Sequence, residues 1–221
     1  AMSSVDWRHV NVPQAAAVVR RRNLGAIGRG ADGLLFFQWR GSRGGPEMLH
    51  STMLPAGGTD TRGWRQTVAL GTDVARLAEV AGSRCPQAAV GLVVDWDDWW
   101  ALEQEGHPTD RLRYRDLALR MFEPLREANV PVDMCRPDAD LSAFRLVVIP
   151  NLFLLSPEAA ANLASFVRAG GVALVGPFSG IVDASYRLPG GHHPGMLRDL
   201  LGITIEEWWP ITEGESTVVS A

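Results

Sequence analysis

The segment AAVGLVVD, residues 88–95, decides the fold that the sequence predicts. An unbroken apolar run that ends in an aspartate indicates a strand buried on both faces, as in parallel sheets. The runs that follow predict further strands and helices in alternation: strands at 130–134, 144–149 and 172–175, and helices at 111–128 and 156–171. This order predicts an α/β fold, with a mostly parallel sheet and helices on both faces.

The helix after the third strand has clear start and stop signals. Ser156 can cap it, Pro157 suits the first helical position, and Glu158 adds a negative charge to the first turn. Gly170 and Gly171 then predict its end. Further along, the sequence predicts a short helix at 196–201 and an edge strand at 203–206.

The segment before residue 82 has fewer elements. It predicts a helix up to Gly28, a buried strand at 33–37 and a helix from Trp64 to Val80. Four residues form the predicted apolar face of the second helix, with Leu70 at its margin: Val68, Val74, Leu77 and Val80. One strand between two helices is too few for an independent α/β domain.

Composition limits the classes of partner. The net charge of −4 and pI of about 5.7 argue against nucleic acid, which needs a concentrated basic face. The basic run Arg20-Arg21-Arg22 is predicted to be a solvated helix face. No apolar run reaches the roughly 18 residues of a membrane helix, so no membrane partner is expected.

Cys85 and Cys135 are spaced neither like zinc ligands nor like a disulfide framework. A bridge between them stays open, but the sequence favours buried free thiols in a reducing compartment, and hence a cytoplasmic location. Neither cysteine lies on a strand-to-helix elbow of the kind that carries the nucleophile of class I glutamine amidotransferases. Ser179 also lacks an elbow motif.

His192 and His193 are adjacent on a glycine loop, where a solvated loop is favoured over a metal site. Glycines at 170–171 and 176–180 match no phosphate-binding motif. The sequence therefore indicates neither a metal nor a cofactor.

The cluster Asp95-Trp96-Asp97-Asp98-Trp99-Trp100 follows the first strand of the predicted sheet. Tryptophan faces and carboxylates are what carbohydrate sites use, so a sugar-stacking or catalytic role is one hypothesis. Aromatic packing at an interface explains the same residues equally well.

A second polar segment follows the predicted strand at 33–37. Gln38, Trp39 and Arg40 lead into a glycine turn, and Glu47 comes three residues before His50. Loops after buried strands often carry functional side chains. From the spacing alone, Glu47 and His50 are either an ion pair or ligand contacts.

Several motifs together resemble the glycoside hydrolase family 42 β-galactosidases, in the same order along the chain. They are Val5-Asp6-Trp7, Gly30–Gly33, Phe36–Arg40, Glu47 with His50, Asp95–Leu102, Val148–Leu152 and Gly176–Asp183. The resemblance implies the last part of a (β/α)8 catalytic barrel at 1–82, the family's trimerisation domain at 83–212, and a tail at 213–221. The second domain would be amidotransferase-like or flavodoxin-like.

In this family, two glutamates carry out retaining hydrolysis of terminal β-D-galactosides, with carboxyl groups about 5 Å apart. The resemblance places both upstream of Val5, so this chain is expected to hold no catalytic residue and to be inactive alone. It implies that Trp7, Phe37, Glu47 and His50 form one wall of the galactose site. Gln38, Trp39 and Arg40 would support that wall or lie at an interface.

Two functional hypotheses follow. In the first, the chain is part of a β-galactosidase and supplies a wall of the galactose site and a homo-oligomerisation domain, a trimer in the family. In the second, it is a stand-alone, non-catalytic module for oligomerisation or for binding a small molecule or sugar.

Overall fold

The structure is a computed structural model that describes residues 9–218. The chain divides into two compact units, Ala1–Pro86 and Gln87–Ala221, which we call unit 1 and unit 2. Unit 1 contains the helices α1 (Ala16–Ile27) and α2 (Arg62–Ala75) and a 3-10 helix at Ala78–Val80. Both α-helices confirm the sequence prediction, although α2 ends before Val80.

The core of unit 1 is small. Val19 of α1 and Leu70 of α2 are its buried members, and four half-buried side chains pack against them: Leu24, Leu34, Phe36 and Val74. On the surface, the Arg20 guanidinium donates to the Asp73 carboxylate, which lowers the pKa of that carboxyl. The basic run is exposed, as predicted.

The predicted apolar face of α2 is right for Val74, which packs against the core of unit 1, and wrong for Val68 and Val80. Val68 and Val80 are 50% and 46% exposed, whereas the buried residues are Gly63, Thr67 and Leu70. These three lie four and three residues apart, which is the spacing of one helix face. An apolar pattern does not reveal this face because glycine and threonine form two thirds of it.

The predicted strand at 33–37 is also wrong. Leu34 and Phe36 are half-buried against the core of unit 1, while Leu35 and Phe37 are exposed, so burial alternates along the segment. A strand exists only where a neighbour completes its hydrogen-bond ladder. In unit 1 the described pairing is a single bridge between Arg40 and Leu54.

Unit 2 is built on a four-stranded sheet in which every pairing is parallel. Its strands, in chain order, are β1 (Val90–Val93), β2 (Val132–Cys135), β3 (Leu146–Ile149) and β4 (Val172–Val175). The order across the sheet is β2-β1-β3-β4. All four confirm the predicted strands, and β1 and β3 are the central pair.

The remaining helices belong to unit 2: α3 (Trp96–Leu102), α4 (Tyr114–Glu127), α5 (Pro157–Arg168), a 3-10 helix at Gly195–Leu197 and α6 (Arg198–Leu201). The predicted cap of α5 is confirmed, since the Ser156 side chain accepts from the Ala159 N–H at 3.1 Å. The sequence did not predict α3. Asp95 begins that helix by accepting from the Asp97 N–H at 2.9 Å.

Helices cover both faces of the sheet, as predicted. On one face, Leu92 and Val148 pack against α4 through Met121, Phe122 and Leu125. On the other, Val147 and Ile149 pack with Leu163 and Phe166 of α5. Alternate residues of β3 therefore face opposite helices, and this explains why an unbroken apolar run was needed there.

The edge strand predicted at 203–206 is wrong. Ile205 forms an isolated antiparallel bridge with His193, and the four-stranded sheet does not extend to this segment. Ile203 is 50% exposed.

A substitution at Gly176 tests the close approach of the chain after β3 and β4. A Cβ atom there would lie against the Pro150 carbonyl oxygen, well inside van der Waals contact. We expect Gly176→Ala to lower the free energy of unfolding by about 2 kcal/mol or more, because backbone must move. The matched control is Gly190→Ala, whose new methyl group meets nothing within 4 Å. Equal urea-unfolding midpoints for the two variants would contradict this contact.

Candidate functional site

Hydrogen bonds close the base of the loop that holds Glu47 and His50. The Met53 N–H donates to the Gln38 carbonyl, and the Leu54 N–H donates to the Trp39 carbonyl, both at 2.8 Å. Between them, the His50 N–H donates to the Glu47 carbonyl at 3.0 Å and forms a turn. The loop therefore has a fixed base and a compact turn at Glu47–His50.

Helix α2 anchors this loop from below. The Thr67 hydroxyl donates to the Met53 carbonyl at 3.0 Å. Ser51, Thr52 and Leu54 are buried, at 3%, 4% and 8% exposure. This hydrogen bond explains why the polar Thr67 lies on the buried face of α2, since it binds the backbone of the loop.

Two of the predicted galactose contacts lie together. The ring centroids of Phe37 and His50 are 5.9 Å apart in an edge-to-face arrangement. Phe37 is 65% exposed and Glu47 is exposed, one turn before His50. Trp7 lies outside the described residues. An exposed aromatic ring next to an imidazole presents an apolar face and a group that can donate and accept, and the Glu47 carboxylate, three residues before His50, adds an acceptor.

Trp39 is held by a neighbour in unit 1. Its ring meets Trp64 edge-to-face, with centroids 5.7 Å apart, and it stays 56% exposed. Trp64 belongs to α2, so the helix that anchors the loop base also orients this tryptophan. The contact is consistent with a supporting role for Trp39.

Unit 2 has a crevice of about 620 Å³ at the carboxyl ends of its strands. Residues after β1, β2 and β3 line it, including Asp95, Asp97, Trp100, Arg136, Asp138 and Ser156. The chain leaves β1 toward β2 on one side and leaves β3 toward β4 on the other. Open α/β sheets bind ligands at such a reversal of direction.

The predicted aromatic cluster after β1 divides into two parts. Trp99 stacks on Trp96 with ring centroids 5.3 Å apart, and on Tyr114 at 5.6 Å. Trp100 is 63% exposed and lines the crevice. The packing interpretation therefore applies to Trp99, whereas Trp100 is available to a ligand.

Asp98 is a buried carboxylate that the sequence did not distinguish from its neighbours. It is fully buried, and one of its oxygens accepts from the Leu154 N–H at 2.7 Å. Burial raises its pKa to about 7, and the nearby Asp95 charge adds to the rise. Its bond ties α3 to the loop after β3, and both elements line the crevice.

Of the two histidines and the serine considered in the sequence, His193 and Ser179 take part in packing and hydrogen bonding rather than in a site. His193 packs against Trp208 in a tilted arrangement, with ring centroids 4.8 Å apart, and is half-buried, so the solvated-loop interpretation applies to the exposed His192 alone. Ser179 is buried, accepts from the Leu152 N–H at 3.0 Å and donates to the Gly176 carbonyl at 2.9 Å. It joins two loops rather than serving as a nucleophile.

Both cysteines are free, as predicted. The expectation that both are buried is wrong for Cys85, which is exposed. Burial raises the pKa of the half-buried Cys135 to about 11, with a contribution from Asp133. A thiol with so high a pKa is a poor nucleophile at neutral pH.

Between residues 9 and 218, no helix combines the length and the apolar character needed to cross a membrane.

Two family models match this chain, one within unit 1 and one within unit 2. A family model described as "Beta-galactosidase" matches residues 1–77, and one described as "Beta-galactosidase trimerisation domain" matches 88–221. A β-galactosidase of Geobacillus kaustophilus is 40% identical over 212 residues, covering 96% of this chain and 31% of the relative. A β-galactosidase of an Arthrobacter species is 40% identical over 218 residues, covering 99% and 31%.

Among solved structures, a β-galactosidase from Bacillus circulans sp. alkalophilus matches with a TM-score of 0.89 and 29% identity, over 96% of this chain and 32% of that one. The chain thus spans about a third of the length of the relatives it matches.

The raised pKa of Asp98 predicts a pH-dependent stability. The folded state holds its proton up to about pH 7, whereas an unfolded aspartate loses it near pH 3.9. The unfolded state therefore binds fewer protons between these values, and the Asp98 contribution to stability falls as pH rises through that window. The full effect is on the order of 4 kcal/mol.

Asp98→Asn keeps an acceptor for the Leu154 N–H and removes the titration. We expect its free energy of unfolding, measured in urea from pH 5 to pH 8, to decline less with pH than that of the parent. The exposed Asp110→Asn is the control and should follow the parent. Parallel curves for the parent and Asp98→Asn would exclude a perturbed Asp98.

Proposed function

This chain belongs to the glycoside hydrolase family 42 β-galactosidases, and we propose that it supplies one wall of the galactose site and the oligomerisation domain of such an enzyme. The whole enzyme would hydrolyse terminal β-D-galactosides with retention of configuration. The observation that carries the proposal is the match of two β-galactosidase family models, in order, to the two halves of the chain. The domain limits at 82 and 212 and a cytoplasmic location remain parts of the proposal.

The residues of unit 1 suit a sugar wall. A carboxylate such as Glu47 accepts hydrogen bonds from two hydroxyls, and a neutral imidazole such as His50 donates one and accepts one. Phe37 offers an exposed apolar face next to that imidazole. The proposal assigns hydroxyl recognition to Glu47 and His50, and stacking to Phe37 and Trp7.

The reacting carboxylates are proposed to lie elsewhere in the enzyme. Retaining hydrolysis needs an acid/base and a nucleophile about 5 Å apart. The family resemblance assigns both roles to positions before Val5. The 221-residue chain would then bind galactose without cleaving galactosides.

We expect the isolated chain to release no nitrophenol from nitrophenyl β-galactoside, because it lacks the carboxylate pair. Turnover that Glu47→Gln abolishes would overturn the proposal. In NMR titrations with methyl β-galactoside, the ring signals of His50 should shift, and Glu47→Gln should weaken that binding about tenfold by removing a charged acceptor. Asp60→Asn is the matched control, since its side chain is fully exposed on the same unit. Equal affinities for the two variants would refute the role of Glu47.

Self-association is the second part of the proposal. The trimerisation-domain model covers residues 88–221, and both edge strands of the sheet expose apolar side chains. Met134 of β2 is 72% exposed, and Val172 and Leu174 of β4 are 60% and 51% exposed. Exposed apolar groups on sheet edges favour association with another chain.

We expect sedimentation velocity at micromolar concentration to show a trimer, because buried edge residues would offset the entropy cost of association. Leu174→Glu should shift the distribution toward monomer if β4 lies in the interface, while Leu188→Glu, at a site that is also exposed, serves as the control. A parent chain that sediments only as a monomer would contradict the assembly.

A further inference from the structure

The crevice of unit 2 has the size and location of a ligand site. Its volume of about 620 Å³ falls within the roughly 300–1,000 Å³ of small-molecule pockets. It lies where the chain direction reverses between β1 and β3, at the carboxyl ends of the strands. None of its lining residues belongs to the galactose wall proposed for unit 1.

Two aromatic side chains line the crevice and remain accessible. Trp100 is 63% exposed, and Tyr186 is 46% exposed. The Tyr186 hydroxyl donates to the Ala101 carbonyl at 3.4 Å, and its ring meets Phe153 edge-to-face at 5.7 Å. Trp100 stands on α3, which Asp95 caps and Asp98 ties to the loop after β3. Both rings are therefore held on fixed backbone.

The crevice contains both a guanidinium and carboxylates. The Arg136 guanidinium donates to both oxygens of Asp138, at 2.9 and 3.2 Å, through Nε and Nη2. Its Nη1 group donates to no residue that the structure describes, so it can serve a ligand. Asp97 is exposed, and its carboxylate accepts no hydrogen bond from the residues that the structure describes. The crevice thus offers fixed donors and free acceptors beside two aromatic faces.

This combination selects a class of ligand. Three carboxylates against one guanidinium disfavour phosphate and other anions. Within residues 9–218, no group of three or more acidic, histidine or cysteine side chains is placed to hold a metal ion. A sugar hydroxyl can donate to a carboxylate and accept from a guanidinium, and the apolar face of a pyranose can pack on an aromatic ring.

We propose that this crevice is a second, non-catalytic saccharide site, in which Trp100 is the stacking platform and Asp97 and Arg136 bind hydroxyls. Trp100 and Asp97 both lie on α3, within one turn of each other. Arg136 reaches the same space from the loop after β2. The site stands on residues of unit 2 alone and does not depend on the function proposed for unit 1.

The test uses the 221-residue chain labelled with 15N-tryptophan. Methyl β-galactoside and methyl β-glucoside are titrated, and the indole N–H signal of Trp100, assigned by its loss in Trp100→Phe, is followed. We expect a saturable shift at millimolar sugar. The signal of Trp209, which is 86% exposed and lies outside the crevice, is the control within the same spectrum and should not move.

Variants separate this site from the galactose wall. Asp97→Asn and Arg136→Gln should each raise the sugar concentration that gives the half-maximal Trp100 shift about tenfold, since each removes a charged hydrogen-bond partner. Glu47→Gln should leave it unchanged. Loss of the response in Glu47→Gln would overturn the proposal, because the shift would then arise from unit 1. An unmoved Trp100 signal would also overturn it. So would a shift with choline and none with sugars, because the ring would then bind cations rather than saccharides.

Discussion

The parallel pairing of β1 with β3 is the constraint on which unit 2 depends. Both strands lie at the centre of the sheet, so both of their faces must be covered, and Val93, Val147 and Ile149 are fully buried. Parallel neighbours cannot be joined by a tight turn, and each connection must cross a face of the sheet. Because β1 leads to one edge and β3 to the other, α4 and α5 cover opposite faces.

The same pairing creates the crevice. Where two neighbouring strands send their connections in opposite directions, the loops after them separate and leave a gap above the sheet. Buried side chains hold one wall of that gap, since Leu152, Phe153 and Leu155 of the loop after β3 lie in the core, and a hydrogen bond adds to them. Asp98 supplies that bond at an energetic cost: a carboxylate is buried to hold the Leu154 N–H, and its pKa rises to about 7 as a result. The buried carboxyl lowers stability, and in return it fixes α3, the helix that carries Trp100.

The sequence predicts the central strands β1 and β3 well because burial on both faces leaves an unbroken apolar run. The same logic fails at 33–37, where a similar run has no ladder partner and its burial alternates. Periodicity reports what a segment can bury, but it does not report whether a neighbour exists. The hydrogen bond of Asp98 could not be predicted from the sequence either, since its partner Leu154 is 56 residues away. The galactose contacts proposed for unit 1 rest on a family resemblance, because the spacing of Glu47 and His50 alone favours an ion pair.

The two proposed sites differ in how their residues are held. Among the residues that the structure describes, the wall in unit 1 rests on a core with two buried side chains and on backbone hydrogen bonds, each of which contributes about 1 kcal/mol net. The crevice in unit 2 rests on a sheet with several buried side chains on each face. A binding site gains affinity when its residues need not be ordered on binding. The backbone under the crevice is therefore held by more buried packing than the described backbone under the wall.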